Sequence, residues 1–285
     1  SDLFYQEKFT VTALKALKTI LEKTTFKGVY ILGMPLDILG ALYNCAVVIQ
    51  NQKILGVIPK QYLPNRHEFY EKRWFQSGKY LDMKRISIFG NDVPFGSLVF
   101  ESEDHKVRFG VEICEDGWAI ESPSDQMSLA GAHVIFNLSA STEYVGKKDV
   151  RKHFVLDQSR KQRTVYAYVS SGAFESTSEV VFSPHHLIAN QGVLVKESYQ
   201  FSQISTHTIV DVDILGLSYQ RKQDNTLGDV HLKTLNQFEF IPYALHETNA
   251  YTFEERPNQW PLLPTQDIEE KLELAHTLQV QALMH

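Results

Sequence analysis

Chemistry in this chain centres on one thiol and one amine. Cys114 ends the strand-like part of residues 106–118, KVRFGVEICEDGW, in which Val107, Phe109, Val111 and Ile113 share one face; Glu115, Asp116 and Gly117 follow. A residue placed where a buried strand ends is rigidly held yet reachable, which is what a nucleophile needs. Cys114 reads in two ways. As a small apolar group it belongs to the core. As a nucleophile it needs positive charge nearby to lower its pKa and a base to take its proton. Lys60 follows Pro59 at the end of the apolar run KILGVI and also reads in two ways, as a solvated lysine or as that charge. Beside a thiolate, an ammonium would favour the ionised thiol and stabilise an oxyanion on a carbonyl under attack. The second cysteine, Cys45 in LYNCAVV, reads as core.

Other chemistries lack their residues. His185 and His186 are adjacent, so on a strand they point to opposite faces, and no C-x-x-C or H-E-x-x-H occurs; no metal site is expected. Gly110, Gly117 and Gly131 are too scattered for a phosphate loop, and a G-x-S-x-G elbow is absent. A net charge of −6 gives no general reason to bind nucleic acid or a membrane. No apolar run approaches the roughly 20 residues of a span, and no signal-peptide pattern opens the sequence. Two cysteines in 285 residues fit a reducing compartment, with the cytoplasm the expected location. Hydrophobic content of 43% and charged content of 22% allow a sizeable core.

The elements that must position the thiol and the amine follow from periodicity. Leu14, Leu17, Ile20 and Leu21 predict an amphipathic helix over 10–23. Strands are expected at VYILG, at 42–50 and at 53–58, the last two joined by an Asn51-Gln52 turn. Residues 59–75, PKQYLPNRHEFYEKRWF, mix prolines, aromatics and charges and read as a long functional loop. Strands at 97–100 and 106–113 flank the polar turn ESEDH. A short helix at 125–130, a strand at 133–138, a polar loop SASTEYVGKK, a charged helix at 149–163 and a strand at 164–171 come next. Strands at 180–182, 186–189 and 193–197 follow, the last two joined by Asn190-Gln191-Gly192, and 208–214 alternates as a half-buried strand should. Such interleaving predicts an α/β fold with a mixed sheet covered by helices. Residues 215–265 show no clear period and read as a wrapping arm before a C-terminal helix.

GVEICEDGW resembles the nucleophile segment of the nitrilase, or carbon–nitrogen hydrolase, superfamily. PKQYLPNRHEFYEKRWF, NLSAS with the GK after it, LYNCAVV and HLIANQGVLV are similar to a narrower group, the glutaminase domains of glutamine-dependent NAD synthetases. The resemblance runs to about residue 213 and more weakly through the last helix. It implies a nitrilase-like four-layer α-β-β-α sandwich and a Cys-Glu-Lys triad with Cys114 as nucleophile and Lys60 as its lysine. The triad glutamate belongs to a PE-x-x-x-x-GY segment just upstream of a stretch like DLFYQ, which here begins at Asp2. A chain truncated at both ends, with impaired turnover, is therefore expected. Glu68 matches a supporting glutamate near the lysine. Glu115, Ser141 and Lys147 match residues around a glutamine pocket, an acid for the substrate ammonium, a hydroxyl and a cation for its carboxylate. Arg66 stands where many members have tyrosine, and as a cation it is expected to face the substrate carboxylate; FSPHH replaces a more usual FDGHS.

By the same resemblance, residues 1–214 form the glutaminase domain and 215–285 an arm and linker helix toward a synthetase domain whose SGG-type loop the sequence lacks. No cofactor is implied for this domain; ATP and magnesium are expected only in the synthetase domain. Glutamine, that domain and further copies in a homo-oligomer are the implied partners. Two other readings stay open: a free-standing nitrilase-type amidase, and a non-catalytic scaffold.

Overall fold

Alternation along the strands decides the layering. The computed structural model describes residues 2–172, 180–201, 205–231, 237–246, 252–254 and 267–284. Strands β1 (Tyr30–Ile38), β2 (Ala41–Gln50) and β3 (Lys53–Pro59) make an antiparallel sheet in that order. β2 is apolar on both faces, as a strand covered from both sides must be. Cys45, Val47 and Ile49 enter one core with Leu17 of helix α1 (Glu7–Lys23) and with Phe95. Ala46 and Val48 join Ile58 in a second core, against Leu98, Phe100, Phe109 and Val111 of another sheet. Cys45 is fully buried, and that burial pushes its thiol far up.

The second sheet has seven strands: β6 (Leu98–Ser102), β7 (Arg108–Ile113), β8 (Val134–Ser139), β9 (Val165–Ser170), β10 (His185–Asn190), β11 (Val193–Tyr199) and β12 (Glu239–Tyr243). Their order is β11-β10-β9-β8-β7-β6-β12. β7, β8 and β9 run parallel. The connections between them carry α2 (Glu115–Trp118), α3 (Pro123–Leu129) and α4 (Lys147–Gln162). Met127 of α3 and Val155 of α4 seal the outer face over Tyr166, Tyr168 and Leu187. The stack is α1, three strands, seven strands, then α3 and α4, which is the four-layer α-β-β-α sandwich.

Tight turns set the registers. Asn51 and Gln52 both have positive φ, as do Gln191 and Gly192, in the turns expected from the sequence. Two further hairpins escape the sequence reading. Leu39-Gly40 joins β1 to β2, so the first strand extends well past VYILG, and Phe89-Gly90 joins β4 (Arg85–Ile88) to β5 (Asn91–Pro94). The expected strand at 180–182 is a single bridge, Thr142 to Phe182.

The wrapping arm is corrected more substantially. Residues 208–213, expected to alternate as a half-buried strand, do not: 210, 211 and 212 are all half-buried, and the segment joins no strand ladder. Asp213 instead caps α5 (Ile214–Gln223) by accepting from Gly216 N at 2.8 Å. α6 (Asn225–His231) follows, and β12 pairs in parallel with β6. The chain divides into two compact units, Ser1–Asn249 and Ala250–His285. These elements are too short to show a period in the sequence. In the second unit, α7 (Ile268–Met284) forms the expected terminal helix. No helix is long and apolar enough to cross a membrane among the described residues.

Polar contacts from Arg221 and Ser218 help to fix α5. Arg221 donates to Ser128 O at 2.7 Å, Gln162 O at 3.1 Å and Arg163 O at 2.8 Å, the carbonyls where α3 and α4 end. His133 Nδ1 accepts from Arg108 N at 3.0 Å, which leaves Nε2–H to face Ser218 Oγ at 3.0 Å. Burial, then Arg221 and Arg108, pulls His133 down to about 4.

Arg221→Ala is expected to cost about 2 kcal/mol, the scale of hydrogen bonds from a charged donor, in chemical denaturation. His133 gives a pH signature. Between about 4 and the ordinary 6.5 the unfolded imidazole binds a proton that the folded one refuses, so the parent gains stability over that interval as pH rises. The stability of the parent relative to His133→Gln should therefore climb from pH 4 to 6.5 and then level. A constant difference would show that His133 is not held neutral.

Candidate active site

Lys60 and Cys114 come from different sheets, and one carboxylate brings their backbones together. Asp116, buried, accepts from Gln61 N at 3.0 Å and Tyr62 N at 2.7 Å through Oδ1, and from Ile113 N at 3.1 Å through Oδ2. It thus ties the residues after Lys60 to the strand end before Cys114. Burial pushes Asp116 up to about 7; the Tyr62 and Ile113 N–H groups and the Lys60 ammonium act in the opposite sense, while Glu112 adds to the rise. Cys114 itself has φ 49° and ψ −100°, a left-handed conformation costly for a residue with a Cβ. That sharp corner turns β7 into α2 and leaves the thiol half-buried.

A buried polar layer supports the corner from below. Glu112 accepts from the Tyr166 hydroxyl, from Asn137 Nδ2 at 3.1 Å and from Ser122 Oγ at 2.9 Å. Asn137 Nδ2 also reaches Cys114 O at 3.3 Å. Burial pushes Glu112 up in spite of these donors. Gly117 lies directly over the layer: a Cβ there would come 2.6 Å from Tyr166 Oη and 2.7 Å from Glu112 Oε1, so only glycine fits.

A cavity of about 1370 Å³ opens above Cys114 and Lys60. Lys60 is 3% exposed, and its Nζ donates to Glu71 Oε2 at 2.5 Å. Glu71 Oε1 accepts from Asn44 Nδ2 at 2.7 Å, so both its oxygens are committed. Burial pulls Lys60 down, but Cys114, Glu71 and Asp116 together hold it above the usual lysine range. The amine is therefore a cation at neutral pH, placed to act on the thiol. The loop that carries Glu71 is fastened by the Asp2 carboxylate, which accepts from Arg73 Nε at 2.8 Å, Arg73 Nη2 at 3.1 Å and Trp74 Nε1 at 2.9 Å.

The sequence candidates separate into two groups. Cys114, Lys60 and Glu68 line the cavity. Glu68, however, accepts from Thr142 Oγ1 at 2.8 Å, and the carboxylate on Lys60 is that of Glu71, three residues on. Glu115 is occupied by Arg66 at 2.8 Å, so two expected substrate contacts face each other. The Lys147 ammonium lies 5.2 Å from the Trp118 and Tyr144 rings. Ser141 is buried, and its Oγ is 3.4 Å from Arg151 Nη1.

The sequence reading missed Arg151, which is fully buried. Its Nε donates to His185 Nδ1 at 3.0 Å, and Nη2 donates to Glu143 and to Ser183 Oγ at 2.7 Å. His185 then presents Nε2 to Glu197 Oε1 at 3.1 Å. Burial, then Arg151, pulls His185 down to about 4, as an acceptor Nδ1 requires. The FSPHH turn keeps its place because Ser183 and Glu143 both meet Arg151. Among the described residues no cluster of three or more metal-ligating side chains occurs.

Residues 13–210 match the model of the carbon-nitrogen hydrolase family. A glutamine-dependent NAD(+) synthetase of Mycobacterium tuberculosis is 35% identical over 236 residues, which cover 80% of this chain and 34% of that protein. The chain spans about a third of the length of the curated relatives it matches. A crystal structure of a glutamine-dependent NAD(+) synthetase from Cytophaga hutchinsonii superposes with a TM-score of 0.61 at 27% identity, over 69% of this chain and 32% of that one. An amidase from Nesterenkonia shares the fold, with a TM-score of 0.53 at 14% identity over 70% of this chain and 67% of its own.

Asp116→Asn replaces one acceptor oxygen by an NH₂ that faces a backbone N–H. A loss of about 1–3 kcal/mol is expected, the scale of an unsatisfied buried donor. The pH dependence has a defined sign. The folded carboxyl holds its proton to about 7, whereas the unfolded one releases it near 3.8, so the parent loses stability over that interval as pH rises. The parent's advantage over Asp116→Asn in thermal melts should shrink from pH 4 to 7; an advantage that grows would reverse the assignment.

Proposed function

The chain belongs to the carbon-nitrogen hydrolase family, and from that premise we propose that it hydrolyses the side-chain amide of glutamine with Cys114 as nucleophile. The carrying observation is the convergence of Cys114, Lys60 and Glu71 on one cavity. In this reading the Cys114 thiolate attacks the carboxamide carbon, and the Lys60 ammonium stabilises the oxyanion. The C–N bond breaks, ammonia leaves with a proton, and water cleaves the glutamyl thioester to return the thiol. Glu71 keeps the buried ammonium paired and aimed.

The proton acceptor for Cys114 is a separate carboxylate. Asp2, Glu68 and Glu71 line the cavity, but each is committed, to Arg73 and Trp74, to Thr142, and to Lys60 and Asn44 respectively. The family's PE-x-x-x-x-GY glutamate is the acceptor in this reading. Ammonia would pass to a synthetase domain that amidates nicotinic acid adenine dinucleotide at the expense of ATP. The similarity to glutamine-dependent NAD(+) synthetases over 80% of the chain supports this assignment.

One observation favours a second reading, an amidase for simple amides. The Arg66 guanidinium occupies the Glu115 carboxylate that would meet a substrate ammonium. Arg66 has 65% of its side chain exposed, so a ligand could displace it.

A diazoketone analogue of glutamine should alkylate Cys114, and Cys114→Ala should abolish the labelling, both read by mass spectrometry. Lys60→Ala should slow it by about a hundredfold, the scale of a lost oxyanion contact. Labelling by small aliphatic electrophiles alone would favour the amidase reading. Failure of every electrophile would exclude a reachable nucleophile.

A further inference from the structure

Two strips of chain, residues 140–143 and 181–183, form one wall of the cavity through Ala140, Thr142 and Phe182. They pair with each other: Glu143 N donates to Val181 O at 2.7 Å, Ser183 N donates to Ser141 O at 2.9 Å, and Thr142 bridges Phe182. Neither strip belongs to a regular sheet, and the backbone joins one strip to the other through only the two hydrogen bonds just given among the described residues, a weak tie for an irregular wall. The Arg151 guanidinium lies behind both. Nη1 reaches Ser141 Oγ and Thr142 O at 3.4 Å, and Nη2 takes Glu143 and Ser183 Oγ on the other side. Its Nε is oriented by His185, and His185 by Glu197. A buried guanidinium has a large desolvation cost unless every donor is met, and a planar fork can meet several partners on two chain segments at once. No hydrogen bond runs from Arg151 to Cys114, Lys60 or Glu71 among the described residues.

We propose that Arg151 is a positioning residue that clamps these two strips into the wall against which the distal, amino-acid end of the substrate is held, leaving the chemistry at Cys114 unaffected. The inference rests on the glutamine reading for the identity of the ligand, and on geometry alone for the clamp. The bland role, a core ion pair, would disturb folding without distinguishing one cavity wall from the thiol.

The test compares the parent chain with Arg151→Lys, which loses the fork, and Glu143→Gln, which keeps shape and removes one charge. Three readouts are taken on folded protein. Alkylation of Cys114 by iodoacetamide should stay within about twofold of the parent. The half-saturating concentration of the diazoketone analogue of glutamine should rise about tenfold, the effect of losing roughly 1.4 kcal/mol of binding, with an unchanged limiting rate. Backbone amides of 140–143 and 181–183 should exchange hydrogen about tenfold faster, with 108–113 unchanged. An equal slowing of both alkylations, or unchanged exchange in the strips, would overturn the clamp. If the parent takes iodoacetamide but not the glutamine analogue, the glutamine reading fails instead, and exchange in the strips still decides for or against the clamp. If Arg151→Lys does not fold, Glu143→Gln carries the comparison.

Discussion

The geometry of the candidate site depends on one carboxylate, that of Asp116. Each sheet contributes one reactive group, and sheets packed through apolar side chains can slide by a fraction of an ångström at small cost. Asp116 removes that freedom by accepting backbone N–H groups from both, from Gln61 and Tyr62 beyond Lys60 and from Ile113 before Cys114. Acceptors that take backbone donors fix main-chain positions, not just rotamers, so the relation between amine and thiol is set by the chain trace. Burial raises the carboxyl to about 7, which is the energetic cost of putting such a brace in a dry place.

A similar logic governs the layer under Cys114. The left-handed corner at Cys114 persists only where its surroundings over-determine it. Asn137 holds its carbonyl, Glu112 gathers Asn137, Tyr166 and Ser122, and Gly117 lets the next turn settle onto that layer. The polar groups beneath the thiol therefore act through position. Positive charge at the thiol comes from Lys60, whose own charge is maintained by Glu71.

Much of this was legible in the sequence, and the rest was not for identifiable reasons. Val107, Phe109, Val111 and Ile113 announced the strand that delivers Cys114, and Asn51-Gln52 announced a hairpin, because both signals are local. The Leu39-Gly40 and Phe89-Gly90 hairpins carry large apolar residues where Asn or Asp is the usual sign. Glu68 and Glu71 lie one turn apart in a loop without periodicity, and only the fold of that loop decides which meets Lys60. Arg151 sits in a helix so rich in charge that no sequence pattern marks it as the one facing inward. The 215–243 region looked irregular because α5, α6 and β12 are short, and their stability comes from partners far away in sequence, such as the carbonyls that Arg221 meets.

The parallel pairing of β12 with β6 has a consequence for how the molecule is made. Leu98 meets Glu239 across that ladder, and the Gln50 side chain exchanges hydrogen bonds with the Ala244 backbone at 2.7 and 2.9 Å. These contacts close loops well over a hundred residues long, among the slowest kinds of contact to form. During synthesis the β6 edge therefore waits, unpaired and apolar, until nearly the whole first unit has emerged from the ribosome. Its neighbours β7 and β8 can zip up long before. That interval, not the finished fold, is when this chain is most exposed to strand-to-strand misassociation and most dependent on chaperones.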